Sequence, residues 1–169
     1  MAKSEKQKLK LLYIIQCLME KTDEEHAVTT QEIIDYLALQ GITAERKSIY
    51  TDIDLLIDFG MDIIKKPGRS GGYTLASRQF ELAELKLLVD AVQSSKFITT
   101  KKSRELIGKL ETLCSKYEAT QLHRQVVVTN RNKAINENIY YNVDIIYNAI
   151  AENVKIQFQY FEWDVNKEM

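Results

Sequence analysis

Apolar residues return at helical intervals three times in the first part of the chain. Leu11, Ile14, Ile15, Leu18 and Met19 follow the i, i+3, i+4, i+7, i+8 spacing of one helix face, with lysines before them and the acidic run Asp23, Glu24, Glu25 after. Ile33, Ile34 and Leu37 form a second face. It starts at Thr29, which has the S/T-x-x-E spacing of a capping box with Glu32, and it ends at Gly41, suited to the left-handed residue past a helix end. Ile49, Ile53, Leu56 and Ile57 form the third, with Thr43 as the expected N-cap and Gly60 as its close. Two helices joined by a short glycine-containing turn predict a helix-turn-helix.

The pattern then changes. MDIIKK and YTLAS place Ile63, Ile64, Tyr73 and Leu75 in two short strands around the turn PGRSGG, which predicts a β-hairpin with Lys65, Lys66 and Arg69 at or near its tip. Three helices and a basic hairpin describe a winged helix-turn-helix over residues 1–76. A helical connector is expected over 77–120, with Leu85, Leu88, Val89 and Val92 on one helix and Leu106, Leu110, Leu113, Cys114 and Tyr117 on the next, separated by a turn or short loop at KFITTKKS. From 121 to 169 the reading is a strand at 122–129, a helix capped by Asn142 and running to about Glu152, and a half-buried strand in the strictly alternating VKIQFQYF. The expected fold is mainly α with a small β component: winged helix, connector, and the beginning of an α/β domain. A strand with one apolar face needs a sheet to lie in. The natural protein is therefore expected to continue, or the strand to find its partner in a dimer.

Composition sharpens this only in part. With 45% apolar and 28% charged residues, the 169-residue chain buries a real core. It has no apolar run long enough for a membrane span, and its basic N-terminus leads into an amphipathic pattern, so a cytoplasmic protein is expected. Cys17 and Cys114 lie on apolar stripes and read as free buried thiols. Residues 1–75 hold ten Lys or Arg against twelve Asp or Glu, a net of −2, and the rest hold thirteen against twelve, a net of +1. Bulk charge therefore does not announce a polyanion partner, and the placement of charges decides.

That placement favours duplex DNA. The N-terminal residues of the second helix of a helix-turn-helix meet base edges in the major groove. Arg46 and Lys47 stand there with chemistry suited to guanine, and Ser48, Tyr50 and Thr51 are expected to contact phosphates or pack nearby. Lys65, Lys66 and Arg69 suit a wing lying along the backbone. Thr43 and Ser70 complete the candidate set. The plainer alternative is a solvated helix face and a hairpin kept soluble by its cations. Lys3, Lys6, Lys8 and Lys10 read as a solubilising tail rather than a phosphate contact. Asp23, Glu24 and Glu25 are expected in a loop away from DNA, and Asp52, Asp54 and Asp58 where the helix has left the groove.

Catalysis finds little support. His26 and His123 lack partners at metal-ligand spacing, His123 falls in the expected 122–129 strand as a structural residue, and there is no phosphate loop or nucleophile elbow. No enzyme, metal or cofactor is expected. The aromatic C-terminal stretch, with Tyr140, Tyr141, Tyr147, Phe158, Tyr160, Phe161 and Trp163, reads as the exposed core of an unfinished barrel rather than a ligand pocket.

The stretch ERKSIYTDIDLLIDFGMDIIKKPGRSGGYTL resembles the DNA-binding region of the WYL-domain transcriptional regulators, whose N-terminus is DeoR-like. The carrying residues are Arg46, Lys47 and Ser48, then Ile49 to Ile53, Gly60, and the wing Gly68 to Tyr73. Thr51 stands where that family commonly has Arg, which removes one expected contact. IYYNVDIIYNAIAENVKIQFQYFEWD resembles the lead-in to the family's Sm-like barrel. The resemblance implies a sequence-specific DNA-binding regulator whose C-terminal part senses an effector, a ligand or nucleic acid. A homodimer joined through the connector is expected because helix-turn-helix proteins commonly read two half-sites about one helical turn apart. The alternative is a winged-helix docking module that binds protein instead. A further rival is an enzyme that carries a regulatory winged helix.

Overall fold

The ends of the first helices are set by local caps and glycines. In a computed structural model that describes residues 6–68, 71–125, 133–136 and 138–159, helix α1 runs Lys10–Lys21, α2 Thr30–Leu39 and α3 Arg46–Asp58. The capping box at the start of α2 is formed on both sides: Glu32 N–H donates to Thr29 Oγ1 at 3.2 Å, and Thr29 N–H donates to Glu32 Oε2 at 2.7 Å. The last turns of α2 and α3 close alike. Gly41 (φ +74) and Gly60 (φ +105) each take the left-handed conformation. The next amide reaches back over the last turn, Ile42 to the Leu37 carbonyl at 2.9 Å and Met61 to the Leu56 carbonyl at 3.0 Å. These two closures set where the turn begins and where the wing leaves.

The wing is the antiparallel pair β1 (Ile63–Lys66) and β2 (Gly72–Leu75), in register Ile63↔Leu75 through Lys66↔Gly72. Val28 extends it by an isolated bridge to Tyr73, with bonds of 3.0 and 2.8 Å. That approach requires Gly72: a Cβ there would stand 2.3 Å from the Val28 carbonyl oxygen. Ile14, Leu18, Ile33, Leu37, Ile49 and Ile53 are fully buried at the centre, and Ile63, Tyr73 and Leu75 close the core from the wing side.

A second, smaller core lies behind the first. Helices α4 (Leu82–Ser94), α5 (Thr100–Glu111) and α6 (Lys116–Gln125) pack around Leu85, Val89, Ile107, Cys114 and Leu122. The expected single helix through Leu106 and Tyr117 is two. Ser115 interrupts it as the cap of α6, accepting from Glu118 N–H at 3.1 Å while its own amide donates to Glu118 Oε2 at 3.0 Å. The strand expected at 122–129 is corrected over 122–125, which continue α6 with Leu122 buried in the second core; 126–129 lie outside the described residues. Thr99 caps α5, so the second half of KFITTKKS is helix rather than loop.

Helix α7 (Ile139–Ala151) begins after Asn138, and Asn142 lies inside its first turns rather than capping it. Residues 154–159 alternate as expected but form no strand, because no partner strand lies beside them among the described residues, and all six are exposed. Tyr141, Tyr147 and Phe158 are likewise exposed, whereas Tyr160, Phe161 and Trp163 lie outside the described residues, as does the Tyr140 side chain. No helix among the described residues is long and apolar enough to cross a membrane.

The loop after α1 joins the two cores. Thr22 Oγ1 donates to the Leu18 carbonyl at 2.7 Å and accepts from Leu75 N–H at 3.0 Å. Asp23, expected in a loop away from DNA, lies in that loop but is buried. Its carboxylate accepts from Ser115 Oγ at 2.6 Å and from His26 N–H at 2.8 Å, and it meets the His26 ring at 2.7 Å. The His26 ring stacks on Tyr117 with centroids 3.6 Å apart. Arg78 donates to the carbonyls of Met19 (2.9 Å) and Thr22 (2.5 Å).

Candidate nucleic-acid interface

The first turn of α3 presents Arg46 and Lys47 to solvent. Both side chains are exposed and have no hydrogen-bond or ion-pair partner among the described residues. Tyr50 (44% exposed) and Thr51 share this outward face, and the Thr51 hydroxyl donates to the Lys47 carbonyl at 3.4 Å. These four residues form one surface, as the spacing predicts.

Other candidates are held differently. Thr43 is not the N-cap of α3. Glu45 occupies that position without a side-chain cap, and the Thr43 carbonyl accepts from Gln7 Nε2 at 3.0 Å. Ser48 is half-buried, and its hydroxyl takes the ammonium of Lys10. The same ammonium lies against Asp52 Oδ2 as an ion pair without hydrogen-bond alignment. Asp52 is therefore not an outward acid but one end of a mostly buried link from α1 to α3. On the wing, Lys65 Nζ contacts Asp54 Oδ1 at 2.5 Å, a bond that holds the Lys65 pKa above its usual value. Lys66 Nζ donates to the Glu24 carbonyl at 3.0 Å. Arg69 and Ser70 lie outside the described residues.

The N-terminal segment contributes what sequence reasoning assigned to a tail. Lys6 Nζ donates to the Gln40 carbonyl at 3.5 Å, and Gln7 and Lys10 bind the turn and α3, so residues 6–10 brace the helix-turn-helix. Lys3 lies outside the described residues. A signal for the Lys10–Asp52 link was present: Lys10 stands four residues before Ile14, on the buried stripe of α1, and Asp52 stands three after Ile49, on the buried stripe of α3. Two opposite charges on two facing apolar stripes are expected to meet.

Among the described residues no three His, Cys, Asp or Glu side chains gather to hold a metal ion. His26 belongs to the junction. His123 lies on α6 rather than on a strand, largely exposed, with Nδ1 3.1 Å from Glu111 Oε1. Burial pushes both thiols, Cys17 and Cys114, up to about 11, which keeps them protonated and unreactive at neutral pH.

With Arg46, Lys47, the braced turn and the wing in place, the comparisons with known proteins fall on the same segment. Residues 12–68 match the family described as FokI, D3 domain. D3 is a DNA-binding domain. The D3 match begins within α1, crosses the turn and all of α3, and ends in the wing after β1, so it covers most of the winged helix and stops before the connector. No curated protein and no solved structure matches the chain.

Proposed function

We propose that this chain binds duplex DNA through its winged helix and regulates transcription, without catalysis of its own. The observation that carries the reading is the pair Arg46 and Lys47, exposed at the N-terminal turn of α3 within the segment that matches D3. An α-helix fits the major groove, and a cation at its first turn reaches guanine O6 and N7. The wing lies beside α3 and supplies a backbone contact. The resemblance of the α3 and wing sequence to WYL-type regulators supports a regulator, acting as a homodimer through α4–α6 with a C-terminal part that senses an effector.

The experiment is selection of bound duplexes from a random pool, repeated with Arg46→Ala and Lys47→Ala combined. The expected outcome is a motif of two half-sites about one helical turn apart, lost in the double variant. A motif retained by the double variant would move the recognition surface elsewhere. No enrichment by the wild-type chain would favour a protein-docking module, whose binding responds weakly to salt, whereas contacts with several phosphates weaken steeply.

A second reading is favoured by the D3 match itself, because that domain comes from a restriction enzyme. On this reading the same winged helix is a DNA-recognition part of a nuclease. Cleavage of the recovered duplex in the presence of Mg²⁺ would favour it over the regulator.

A further inference from the structure

The outward face of α3 changes sign along its length. Arg46 and Lys47 open it, and Asp54 and Asp58 follow at helical spacing from Lys47. At 1.5 Å per residue, Asp54 stands about 10 Å along the axis from Lys47. That is about one Debye length at moderate salt, so its carboxylate acts on any phosphate near the first turns. A carboxylate there repels DNA of every sequence, and in this structure it also engages the wing. Lys65 Nζ is 2.5 Å from Asp54 Oδ1, with the two side chains 53% and 60% exposed. Both are accessible to a ligand and neither is locked in place. While Lys65 is paired with Asp54, it releases no counterion from DNA.

Resting on the DNA-binding reading, we propose that Asp54 is a specificity-determining residue of the interface. It keeps Lys65 neutralised against an arbitrary duplex and yields it only where Arg46 and Lys47 engage base edges. The contact is solvent-exposed and weak, so breaking it changes affinity by only a few-fold. That suits a discriminating contact: the loss is recovered on a matching duplex and not on others. It also gives a use to the acidic balance of the first 75 residues, which lowers affinity for random DNA and so protects selectivity.

The test uses the full chain as wild type, Asp54→Asn, Lys65→Met and the double variant. Each is titrated by fluorescence anisotropy over a salt series, against the duplex recovered in the selection above and against a random-sequence duplex. Thermal melts confirm that folding is unchanged at these two exposed positions. Asp54→Asn is expected to tighten random-duplex binding about fivefold and to steepen its salt slope by about 0.9, one added phosphate. The recovered duplex gains less, so selectivity narrows, and the gain disappears when Lys65 is Met. An equal gain with and without Lys65 would reduce Asp54 to a general repulsive charge and overturn the proposal. Weaker binding by Asp54→Asn, or no change, would overturn it too while leaving the DNA reading intact. A wild-type chain that retains neither duplex removes both.

Discussion

The winged helix and the helical bundle behind it reach stability by different means. Among the described residues, fourteen buried apolar residues from every element of the winged helix fill the first core, against five in the second. The first adds a charged link across its helices, Lys10 to Ser48 and Asp52, while α4, α5 and α6 each begin at a side-chain cap. The difference teaches which part is built to hold a surface still. A recognition helix must present Arg46 and Lys47 at a fixed angle, and α3 is fixed by its apolar stripe, by Lys10 and by the glycine closures at both neighbouring helix ends. The bundle has fewer such constraints and leans on the 22–28 loop.

Substitutions can break this contrast. The largest effect is expected from Ile53→Ala, which opens a cavity at the centre of the first core and costs about 2–5 kcal/mol. Denaturant unfolding should show the loss, and hydrogen exchange should place it on α1–α3 and the wing rather than on α4–α5. An equal loss of protection across both cores would mean that they unfold as one unit. Next, Lys10→Met leaves the Asp52 carboxylate buried and unpaired, at about 1–3 kcal/mol. Adding Asp52→Leu should restore much of that, since replacing both partners of a buried pair by apolar groups is often neutral. Failure of the double variant to recover would show that the ammonium matters through Ser48 instead.

Smallest is Ser115→Ala, about 1 kcal/mol for the lost cap of α6, and its pH dependence is informative. Burial pushes the Asp23 carboxyl up, but hydrogen bonds from Ser115 and His26 outweigh it and hold the pKa below its usual value. A depressed carboxylate stabilises the fold above its unfolded pKa, and that contribution is lost as pH falls through the folded value. The difference between wild type and Ser115→Ala should therefore shrink as pH is lowered from 7 towards about 3 in denaturant titrations. A difference constant over that range would place the effect in the cap alone.

Much of the first core was legible from local signals. The Thr29–Glu32 box, the closing glycines and the strand pairing of the wing each depend on neighbours close in sequence, and each forms where the sequence places it. The exposed Arg46 and Lys47 followed from the same periodicity. What escaped was interaction between separate stripes: Lys10 with Asp52, and Asp23 with Ser115. Behind the wing, Cys114 and Tyr117 continued an apolar stripe and hid the break at Ser115, although Ser115 and Glu118 carry the same capping spacing as Thr29 and Glu32. The β-branched run after Gln125 drew Leu122 and His123 into an expected strand, but Leu122 is held in the second core by helix α6. Alternation at 154–159 describes what a strand would need, not whether a partner is present.

The 22–28 loop also bears on the order in which the chain assembles. The helix-turn-helix forms from neighbours close in sequence, whereas the bond from Leu75 to Thr22 spans 53 residues and that from Ser115 to Asp23 spans 92. Closing a loop costs entropy that rises with the logarithm of its length, about 0.6 kcal/mol for each doubling, and contacts distant in sequence slow folding. On this ground the three helices are expected to collapse first, the wing strand to close onto Val28 next and the bundle to dock last. In reverse, native-state hydrogen exchange is expected to show the bundle opening before the recognition helix.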